Sequence, residues 1–281
     1  MGKIIDGRAV AAEVCLGIKA RVQAIAEKGV TPKLAVVLVG DNPASRAYVG
    51  MKEKKAAELG IATAGYKLSA EISEDELIAL VKELNGDASI HGILVQLPLP
   101  KHISEERVLM NISPAKDVDG LHPVNAGMLM TGRKGFVPCT PKGCVKLVES
   151  TGVDIAGKNC VVLGRSNIVG KPAAILMLAK NATVTMCHSR TENLGDITRG
   201  ADILISAVGV PNLITADMIK PGAVVIDVAQ CRVNDAWRGD VDFEGALEVA
   251  GHITPVPGGV GPMTIAMLME NTVEAAEKTL D

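Results

Sequence analysis

The chain has 281 residues, of which 22% are charged, and a formal net charge of −3 at pH 7. This length is sufficient for one large domain or two medium-sized domains with real cores. The charge balance argues against nucleic acid or an anionic membrane as a partner, and an aromatic content of 2% argues against a single-strand binder. The sequence has no apolar stretch of membrane-spanning length and no signal-peptide pattern, so we expect a cytoplasmic protein.

The six cysteines are scattered and form neither a Cys-x-x-Cys pair nor a metal-ligand spacing. In a chain of this size without a secretory signal, such cysteines are typical of reduced core or loop residues. The five histidines are equally scattered. We therefore expect no metal site.

Apolar runs alternate with helical patterns along the chain, which predicts βα units and mostly parallel sheets. In the first half the pattern predicts strands over about 34–39, 63–68 and 90–95. It also predicts helices over about 7–28, 45–59 and 104–110, and a helix capped by Ser73. Gly60 follows the second of these helices and suits its C-terminal cap.

A stretch that contains Pro and Gly, over 113–141, interrupts this alternation. Beyond it the pattern predicts a helix over about 142–150, strands over about 161–163, 182–187, 202–207 and 223–227, and a last helix over about 263–279. Two α/β domains fit this order better than one.

The segment 161–172 has the order of a dinucleotide-binding site: an apolar strand, a glycine turn and the start of a helix. Gly164 allows the backbone to approach a pyrophosphate, and the N–H groups of the following helix are expected to meet its charge. Gly170 is present as well, but Ser166 replaces the middle glycine of the usual signature. The turn therefore predicts a dinucleotide site without identifying the dinucleotide.

The next predicted strand, 182–187, is followed closely by Ser189 and Arg190. An NAD site usually places Asp or Glu here to bind the ribose hydroxyls, but this chain has no acid before Glu192. A serine and two arginines, Arg165 and Arg190, suit the 2′-phosphate of NADP, which a carboxylate would repel. Each arginine alone is also compatible with a solvated loop charge. Together, their positions favour NADP.

One lysine of the second predicted helix lies on its apolar face. That face follows helical spacing and contains Val49, Lys52, Ala56 and Leu59. Tyr48 lies one turn before Lys52, so their side chains can meet. A poorly hydrated lysine can transfer protons near neutral pH. The alternative is a lysine that extends past small neighbours into water.

Two other segments contain polar groups where a ligand could bind. Gln96 follows the strand 90–95, at the carboxyl end where ligands lie in open α/β sheets. Asp117 and Asp119 lie on an irregular loop. Alternatively, Gln96 is a satisfied surface amide, and the two acids belong to a turn or a calcium-loop fragment. The loop lacks the remaining ligands of an EF-hand, which argues against calcium.

Together these segments resemble the bifunctional methylenetetrahydrofolate dehydrogenase/methenyltetrahydrofolate cyclohydrolase family. The resemblance covers essentially the whole chain and includes the Gly164 turn. Its other motifs are Val39-Gly40-Asp41-Asn42-Pro43-Ala44-Ser45, Tyr48 with Lys52, Gln96-Leu97-Pro98-Leu99-Pro100, Lys116-Asp117-Val118-Asp119-Gly120, Pro138-Cys139-Thr140-Pro141, and 255–264. Their occurrence in this order makes the resemblance specific.

The resemblance implies an α/β fold with two Rossmann-like domains, mostly parallel sheets and an active-site cleft between the domains, usually in a homodimer. The catalytic folate-binding domain would comprise 1–120 and the C-terminal helix over about 263–281, and the NADP-binding domain 121–262. The implied enzyme of one-carbon metabolism oxidises 5,10-methylene-tetrahydrofolate with NADP and then hydrolyses the methenyl product to 10-formyl-tetrahydrofolate. Its partner is a small-molecule folate, with no nucleic acid or membrane.

The same resemblance implies roles for individual residues. Lys52 would be the main catalytic residue, Tyr48 would contact the folate and help to orient the lysine, Gln96 would support it, and Asp119 would bind the pterin ring. The remaining substrate-binding residues would be Ser45, Val95, Leu97, Pro255, Val256, Pro257, Gly258, Gly259, Val260, Gly261, Pro262 and Met263. The cofactor-binding residues would be Gly164, Arg165, Ser166, Ser189, Arg190 and Gln230.

One segment departs from the family pattern. After the strand that ends near Asp227, the family usually continues with Gly-Ile-Asn close to the nicotinamide, whereas this chain has Ala229-Gln230-Cys231. Gln230 replaces an apolar contact, and Ala229 removes a flexible glycine. We therefore expect NADP to bind more weakly than is usual in the family.

Two other functions remain compatible with parts of the pattern. The chain could be a different NADP oxidoreductase that acts on a small hydroxy or amino acid, but that enzyme needs a carboxylate clamp that the Gln96 and Asp119 loops do not offer. It could also be a non-catalytic protein that binds NADP or folate. The joint presence of Tyr48, Lys52, Gln96 and Asp119 argues against that function.

Overall fold

The computed structural model describes residues 1–234 and 236–280, and it divides into two compact units. The first unit comprises Met1–Glu13 and Thr140–Thr264, and the second unit comprises Val14–Cys139 and Ile265–Asp281. Within the described residues, no helix has both the length and the apolar character that a membrane span requires.

The secondary structure of the described residues alternates between strands and helices in both units. The strands are β1 (Lys3–Ile4), β2 (Lys33–Val39), β3 (Ala62–Leu68), β4 (Gly92–Val95), β5 (Asn159–Leu163), β6 (Thr183–Cys187), β7 (Ile203–Ser206), β8 (Val224–Asp227), β9 (Cys231–Val233), β10 (Ala236–Arg238) and β11 (His252–Ile253). The α-helices are α1 (Gly7–Ala26), α2 (Pro43–Leu59), α3 (Glu74–Gly86), α4 (Glu105–Asn111), α5 (Pro123–Met130), α6 (Cys139–Glu149), α7 (Gly170–Ala179), α8 (Leu194–Thr198), α9 (Phe243–Val249) and α10 (Val260–Glu277). A 3-10 helix covers Ala216–Met218.

The second unit is built on a three-stranded parallel sheet in the order β3-β2-β4. The central strand β2 is almost continuously apolar and buried, as expected for a parallel strand covered on both faces. Its core includes Val37 from β2, Ile93 from β4, and Leu77 and Val81 from α3. Because the strands are parallel, the start of α2 and the residue after β4 lie at the same edge of this sheet.

Local capping sets the limits of the helices in the second unit. Asn42 caps α2 by accepting the backbone N–H groups of Ala44 and Ser45, and Gly60 ends α2 with a left-handed φ of 80°. Ser73 and Glu76 form a reciprocal capping box at the start of α3. The predicted Gly60 and Ser73 caps are therefore confirmed.

The first unit is built on a six-stranded parallel sheet in the order β1-β11-β8-β7-β5-β6. From β5, the chain adds β6 on one side and then returns to add β7 on the other side. This reversal is the topological switch point at which open α/β sheets bind ligands. Strands β9 and β10 form a separate antiparallel hairpin.

The predicted α/β class with mostly parallel sheets is confirmed, but several features differ from the sequence-based expectation. The stretch 113–141 contains α5, which begins at Pro123 with His122 as its N-cap. Helix α10 begins at Val260, three residues before the predicted start. Strands β1 and β11 have two residues each, too few to produce a periodic pattern.

Candidate active site

Lys52 occupies the position on α2 that its spacing predicts. Val49, Ala56 and Leu59 of the same face are buried, Lys52 is half-buried, and Lys54 is exposed. The apolar face of α2 therefore brings the stem of Lys52 against the unit.

The Nζ group of Lys52 contacts the amide that follows β4. Lys52 Nζ donates a hydrogen bond of 2.9 Å to Gln96 Oε1, although the two residues lie far apart in the sequence. Gln96 Nε2 donates to the carbonyl oxygen of Leu97 at 2.6 Å, and Gln96 N donates to Val37 O at 2.9 Å. The amide is therefore held at both ends, and its oxygen faces the lysine.

Tyr48 and Ser45 lie on α2 before Lys52. Tyr48 is half-buried, and this burial raises the pKa of its phenol. The Ser45 side chain is buried, and its backbone N–H donates to Asn42 Oδ1 at 3.1 Å. The start of α2 is thus fixed by its cap, and Tyr48 precedes Lys52 by one helical turn.

The acidic loop contains two aspartates in different environments. Asp117 is buried and accepts hydrogen bonds from the backbone N–H groups of Leu121 and His122 and from Asn125 Nδ2. Burial raises the pKa of the Asp117 carboxyl in spite of these donors. Asp119 is half-buried two residues later.

Gly120 completes this loop at a position that only glycine suits. Its φ is 74°, and a Cβ there would lie 2.6 Å from the backbone of Val137 and Pro138. The loop is therefore anchored on both sides of Asp119. The anchoring role of Asp117 was not predicted, because sequence alone gives no measure of its burial.

The carboxyl edge of the six-stranded sheet gathers most of the predicted residues of the first unit. From β6 towards β1, the loop after β6 contains Ser189 and Arg190, and the loop after β5 contains Gly164. The loop after β7 comes next and contains no predicted site residue. The loop after β8 contains Gln230, and the loop after β11 begins the segment with Pro255. All six strands are parallel, so these loops share one edge. The predicted cofactor residues precede the predicted substrate residues along it.

The Gly164 turn has the close approach that the sequence predicts. Gly164 adopts a φ of 116°, and a Cβ there would overlap the carbonyl oxygen of Ala207, which follows β7. A Cβ at Gly170 would in turn overlap the carbonyl oxygen of Gly164. Both glycines are therefore required for the packing of this turn between β5, β7 and α7.

The start of α7 differs from the expectation. Ser166 Oγ accepts the N–H groups of Val169 at 3.1 Å and Gly170 at 3.2 Å, and Lys171 N donates to Ser166 O at 3.1 Å. Pro172 has no N–H group. The first N–H groups of α7 are thus satisfied by Ser166 and not left for a phosphate.

Other donors at this turn are available to an anion. Residues 165–168 are exposed, and within the described part of the chain their backbone N–H groups meet no acceptor. Arg165 and Arg190 are exposed, and no ion pair joins either guanidinium to another described residue. Ser189 is exposed beside Arg190. This turn and these side chains fit a phosphorylated dinucleotide.

The segment 255–263 forms a closely packed backbone wall in the first unit. A Cβ at Gly259 would lie 2.6 Å from Thr254 Cβ, and Gly7 of α1 approaches the carbonyl oxygen of Gly259 so closely that a Cβ there would overlap it. Val260, Gly261, Pro262 and Met263 lie in the first turn of α10. The Val256–Pro257 peptide is cis, as is Leu97–Pro98 in the second unit.

Gln230, the residue that departs from the family pattern, lies against this wall. A Cβ at Gly261 would lie 2.9 Å from Gln230 Nε2. The half-buried side chain of Gln230 thus packs beside the predicted substrate residues, and Ala229 before it is buried. Among residues 1–234 and 236–280, no group of three or more His, Cys, Asp or Glu side chains is placed to hold a metal ion.

Two family models match consecutive parts of the chain. Residues 5–119 match the tetrahydrofolate dehydrogenase/cyclohydrolase catalytic domain. Residues 138–280 match the tetrahydrofolate dehydrogenase/cyclohydrolase NAD(P)-binding domain. Together these two ranges include most of the sequence.

Individual proteins match over nearly their full lengths. The chain is 59% identical to the bifunctional protein FolD of Paracidovorax citrulli over 98% of each chain. It is 48% identical to the FolD methylenetetrahydrofolate dehydrogenase/cyclohydrolase structure from Campylobacter jejuni, with a TM-score of 0.97 over 99% of this chain and 100% of that one. It is 40% identical to a Trypanosoma brucei FolD structure in complex with NADP cofactor and inhibitor, with a TM-score of 0.95 over 99% and 98%.

These matches confirm the family predicted from the sequence motifs. They agree with the parallel α/β fold of both units and with a dinucleotide turn in the part that matches the NAD(P)-binding domain. The Lys52–Gln96 pair lies in the part that matches the catalytic domain. The chain belongs to the tetrahydrofolate dehydrogenase/cyclohydrolase family.

Proposed function

We propose that this enzyme performs both reactions of its family at a folate site built around Lys52 and Gln96. The dehydrogenase reaction oxidises 5,10-methylene-tetrahydrofolate to 5,10-methenyl-tetrahydrofolate, and the cyclohydrolase reaction converts that product to 10-formyl-tetrahydrofolate. The observation that carries the proposal is the 2.9 Å hydrogen bond from Lys52 Nζ to Gln96 Oε1 at the carboxyl end of β4. A proton-transfer group is thereby held where open α/β sheets bind their ligands.

The residues around this pair would bind and orient the folate. We assign Tyr48 to a folate contact that also orients Lys52, and Asp119 to the pterin ring. Ser45, Val95 and Leu97 would complete the folate site of the second unit. The backbone wall 255–263 would supply further substrate contacts. The positions of Tyr48 on the same helix and Asp119 on an anchored loop support these roles.

In the cyclohydrolase reaction, Lys52 would move the protons. Water adds to the cationic methenyl carbon and loses a proton, and the ring opens when the carbon–nitrogen bond breaks and the nitrogen gains a proton. As a neutral amine, Lys52 Nζ would accept the first proton and return one to the nitrogen, and it would still donate to Gln96 Oε1, which keeps the Nζ group in place. General acid–base help of this kind contributes about 10²–10⁴-fold.

In the dehydrogenase reaction, the chain has to align the substrate and exclude water. NADP, when bound, accepts the hydride that the one-carbon bridge of the substrate loses. The exposed N–H groups of 165–168 would hold its pyrophosphate, and Arg165, Ser189 and Arg190 its 2′-phosphate. Gln230 would contact its nicotinamide end. This step requires positioning more than proton transfer.

We also assign functions to the two units. The second unit, with Lys52 and Gln96, would bind the folate, and the first unit, with the Gly164 turn, would bind NADP. None of the six cysteines, all of which lie within the described residues, forms a disulfide, and five of them are buried, which is compatible with action in the reducing cytoplasm.

The enzyme would act as a homodimer. The antiparallel hairpin leaves 38% of Val233 and 41% of Trp237, the only tryptophan, exposed, so these side chains are accessible to a second copy of the chain. Light scattering should give twice the chain mass of 29.2 kDa. A mass equal to that of one chain would contradict the dimer.

A direct assay tests the proposed reactions. The enzyme is supplied with methylene-tetrahydrofolate and NADP, and the absorbances of NADPH and of the methenyl product are followed separately. We expect NADPH to form and the methenyl product to be consumed in turn. No reaction with this substrate would indicate a different oxidoreductase, and binding without turnover would indicate a non-catalytic protein.

A further inference from the structure

Two buried aspartates in the first unit have no role in the mechanism described above. Asp227 ends β8 and is 3% exposed, and Asp240 follows the β9–β10 hairpin and is 0% exposed. Within residues 1–234 and 236–280, neither carboxylate has a cationic partner. Burying two acids without a counter-charge is costly, so the chain must satisfy them with hydrogen bonds.

Asp240 holds the loop that follows β7. Its Oδ2 accepts hydrogen bonds of 2.8 Å from Ser206 Oγ and from the N–H group of Val208, and its Oδ1 accepts one of 2.8 Å from the N–H group of Val210. Three donors from one loop therefore converge on this carboxylate. Asp240 fixes the conformation of 206–210 at the carboxyl edge of the sheet.

Asp227 holds the loop that follows β8 and links it to the hairpin. Its Oδ1 accepts the N–H groups of Ala229 at 3.3 Å and Asp240 at 3.0 Å, and its Oδ2 accepts that of Val241 at 2.9 Å. A Cβ at Gly239 would overlap the Asp227 carboxylate. Burial, the larger effect, and the nearby charge of Asp240 raise the pKa of Asp227 to about 7 despite these N–H donors.

The network continues to the substrate wall. The backbone N–H of Asp227 donates to Thr254 Oγ1 at 2.8 Å, and Thr254 is buried directly against Gly259. The two carboxylates thus hold the loops after β7 and β8, and the backbone N–H of Asp227 links them to the residue after β11, the strand next to β8. Ala229, held by Asp227, immediately precedes Gln230, the residue assigned to the nicotinamide end.

We propose that Asp227 and Asp240 are positioning residues for the dehydrogenase reaction, which fix the loops after β7 and β8 so that the nicotinamide end of NADP meets the substrate wall. The proposal rests on the proposed function of the first unit. Carboxylates suit this role because all six of their partners are donors, and a carboxylate only accepts. An asparagine would instead turn an NH₂ group towards one of these N–H or O–H donors.

The test compares Asp227→Asn and Asp240→Asn with Asp202→Asn. Asp202 also accepts a backbone N–H, from Asn159, and it binds Lys220, but it lies at the opposite edge of the same sheet. The measurements are the Kd of NADP by calorimetry, KM for NADP, kcat of the dehydrogenase, and hydrolysis of methenyl-tetrahydrofolate without NADP. Hydrogen exchange of the Val208 and Val210 amides adds a readout that needs no ligand.

We expect Asp227→Asn and Asp240→Asn to raise the Kd and KM of NADP about tenfold and to leave methenyl hydrolysis within about twofold of the wild type. The Val208 and Val210 amides should exchange faster in Asp240→Asn. Asp202→Asn should change none of these values. A parallel loss of both activities, or the same effect in Asp202→Asn, would overturn the proposal.

A milder variant, Ser206→Ala, keeps the proposal testable if Asp240→Asn does not fold. Ser206→Ala removes only one of the three donors to Asp240, so it should weaken NADP binding in the same selective way but to a smaller extent. Unchanged NADP binding in a folded Ser206→Ala together with an unfolded Asp240→Asn would mean that the network is only structural. If wild type lacks dehydrogenase activity, the proposed function fails, whereas the calorimetric comparison still decides the role of the two acids.

Discussion

The Lys52–Gln96 pair of the second unit and the Gly164 turn of the first unit are built on the same kind of sheet edge but in opposite ways. The pair consists of two side chains, joined by a 2.9 Å hydrogen bond. The turn consists of backbone, and its two glycines leave no room for side chains. One region places a group that can move a proton, and the other provides a surface of N–H groups against which a phosphate can lie.

This difference predicts how each region responds to mutation. A pair of side chains can no longer transfer a proton when the proton-transfer group is removed, but the backbone that carries the pair need not move. A backbone turn loses its binding function when its backbone is displaced. No conservative substitution avoids this loss, because the ligand would contact the backbone and not a side chain. Substitutions in the pair should therefore separate chemistry from binding, and substitutions in the turn should reduce NADP binding while methenyl hydrolysis, which needs no NADP, continues.

The largest expected effect is that of Lys52→Met on the cyclohydrolase. Methionine keeps most of the apolar stem but removes the Nζ group that binds Gln96, so turnover of methenyl-tetrahydrofolate should fall about 10²–10⁴-fold. NADP binding and the thermal midpoint should stay close to wild type. The matched control is Lys54→Met on the same helix, whose exposed side chain points away from the apolar face. Unchanged hydrolysis in Lys52→Met would contradict the catalytic role.

The next largest effect should come from Gly164→Ala. An alanine would be strained at a φ of 116°, and its Cβ would overlap the carbonyl oxygen of Ala207. Strain of about 1–3 kcal/mol in the conformation that binds NADP corresponds to a rise of about 5- to 150-fold in the Kd of NADP. Calorimetry measures this change, and methenyl hydrolysis, which needs no NADP, shows whether the folate site is intact.

Gly157→Ala is the control for backbone strain alone. Gly157 lies before β5 in the same unit with a φ of 75°, and a Cβ there would meet open space. We expect some loss of stability and no change in the Kd of NADP. Equal losses of NADP binding in both variants would show that the close approach to Ala207 is irrelevant.

The sequence predicts the features of these two regions that depend on neighbouring residues, and it does not predict those that depend on contacts between distant segments. Gly60 and Ser73 were predictable as caps because capping is local, and the apolar face of α2 was predictable because its residues are neighbours on one helix. The contact between Lys52 and Gln96 was expected only from the family resemblance, since periodicity does not pair a helix with a distant strand end. The occupied N–H groups at the start of α7 were not predicted, because the position of the Ser166 hydroxyl depends on the turn geometry.

The buried acids are a clearer case of features that sequence patterns do not predict. Asp117, Asp227 and Asp240 occur in the sequence among other acids, and nothing local distinguishes them from exposed residues. Their burial depends on backbone N–H groups that distant loops bring together. Sequence patterns predict which elements form, but these carboxylates decide how the loops between the elements are held.

A smaller effect is expected for the two exposed arginines of the NADP site. Arg190→Ala should weaken NADP binding about tenfold, because it removes a charge-assisted contact to the 2′-phosphate, and Arg165→Ala should act in the same direction. Binding of NAD, which lacks this phosphate, should not change. The ratio of the two Kd values is the measurement. Arg133→Ala, which removes an exposed arginine from the second unit, should leave that ratio unaltered.

The smallest expected effect concerns the segment that departs from the family pattern. Gln230→Ile combined with Ala229→Gly should tighten NADP binding about two- to fivefold, because an apolar contact returns to the nicotinamide end and the loop regains a flexible residue. Gln230 packs against Gly261 at the start of α10, so its replacement also alters the wall itself. Titration of NADP into the double variant and both single variants measures the two contributions. Unchanged binding in all three would mean that this segment does not set the affinity and that the turn at Gly164 and its arginines dominate it.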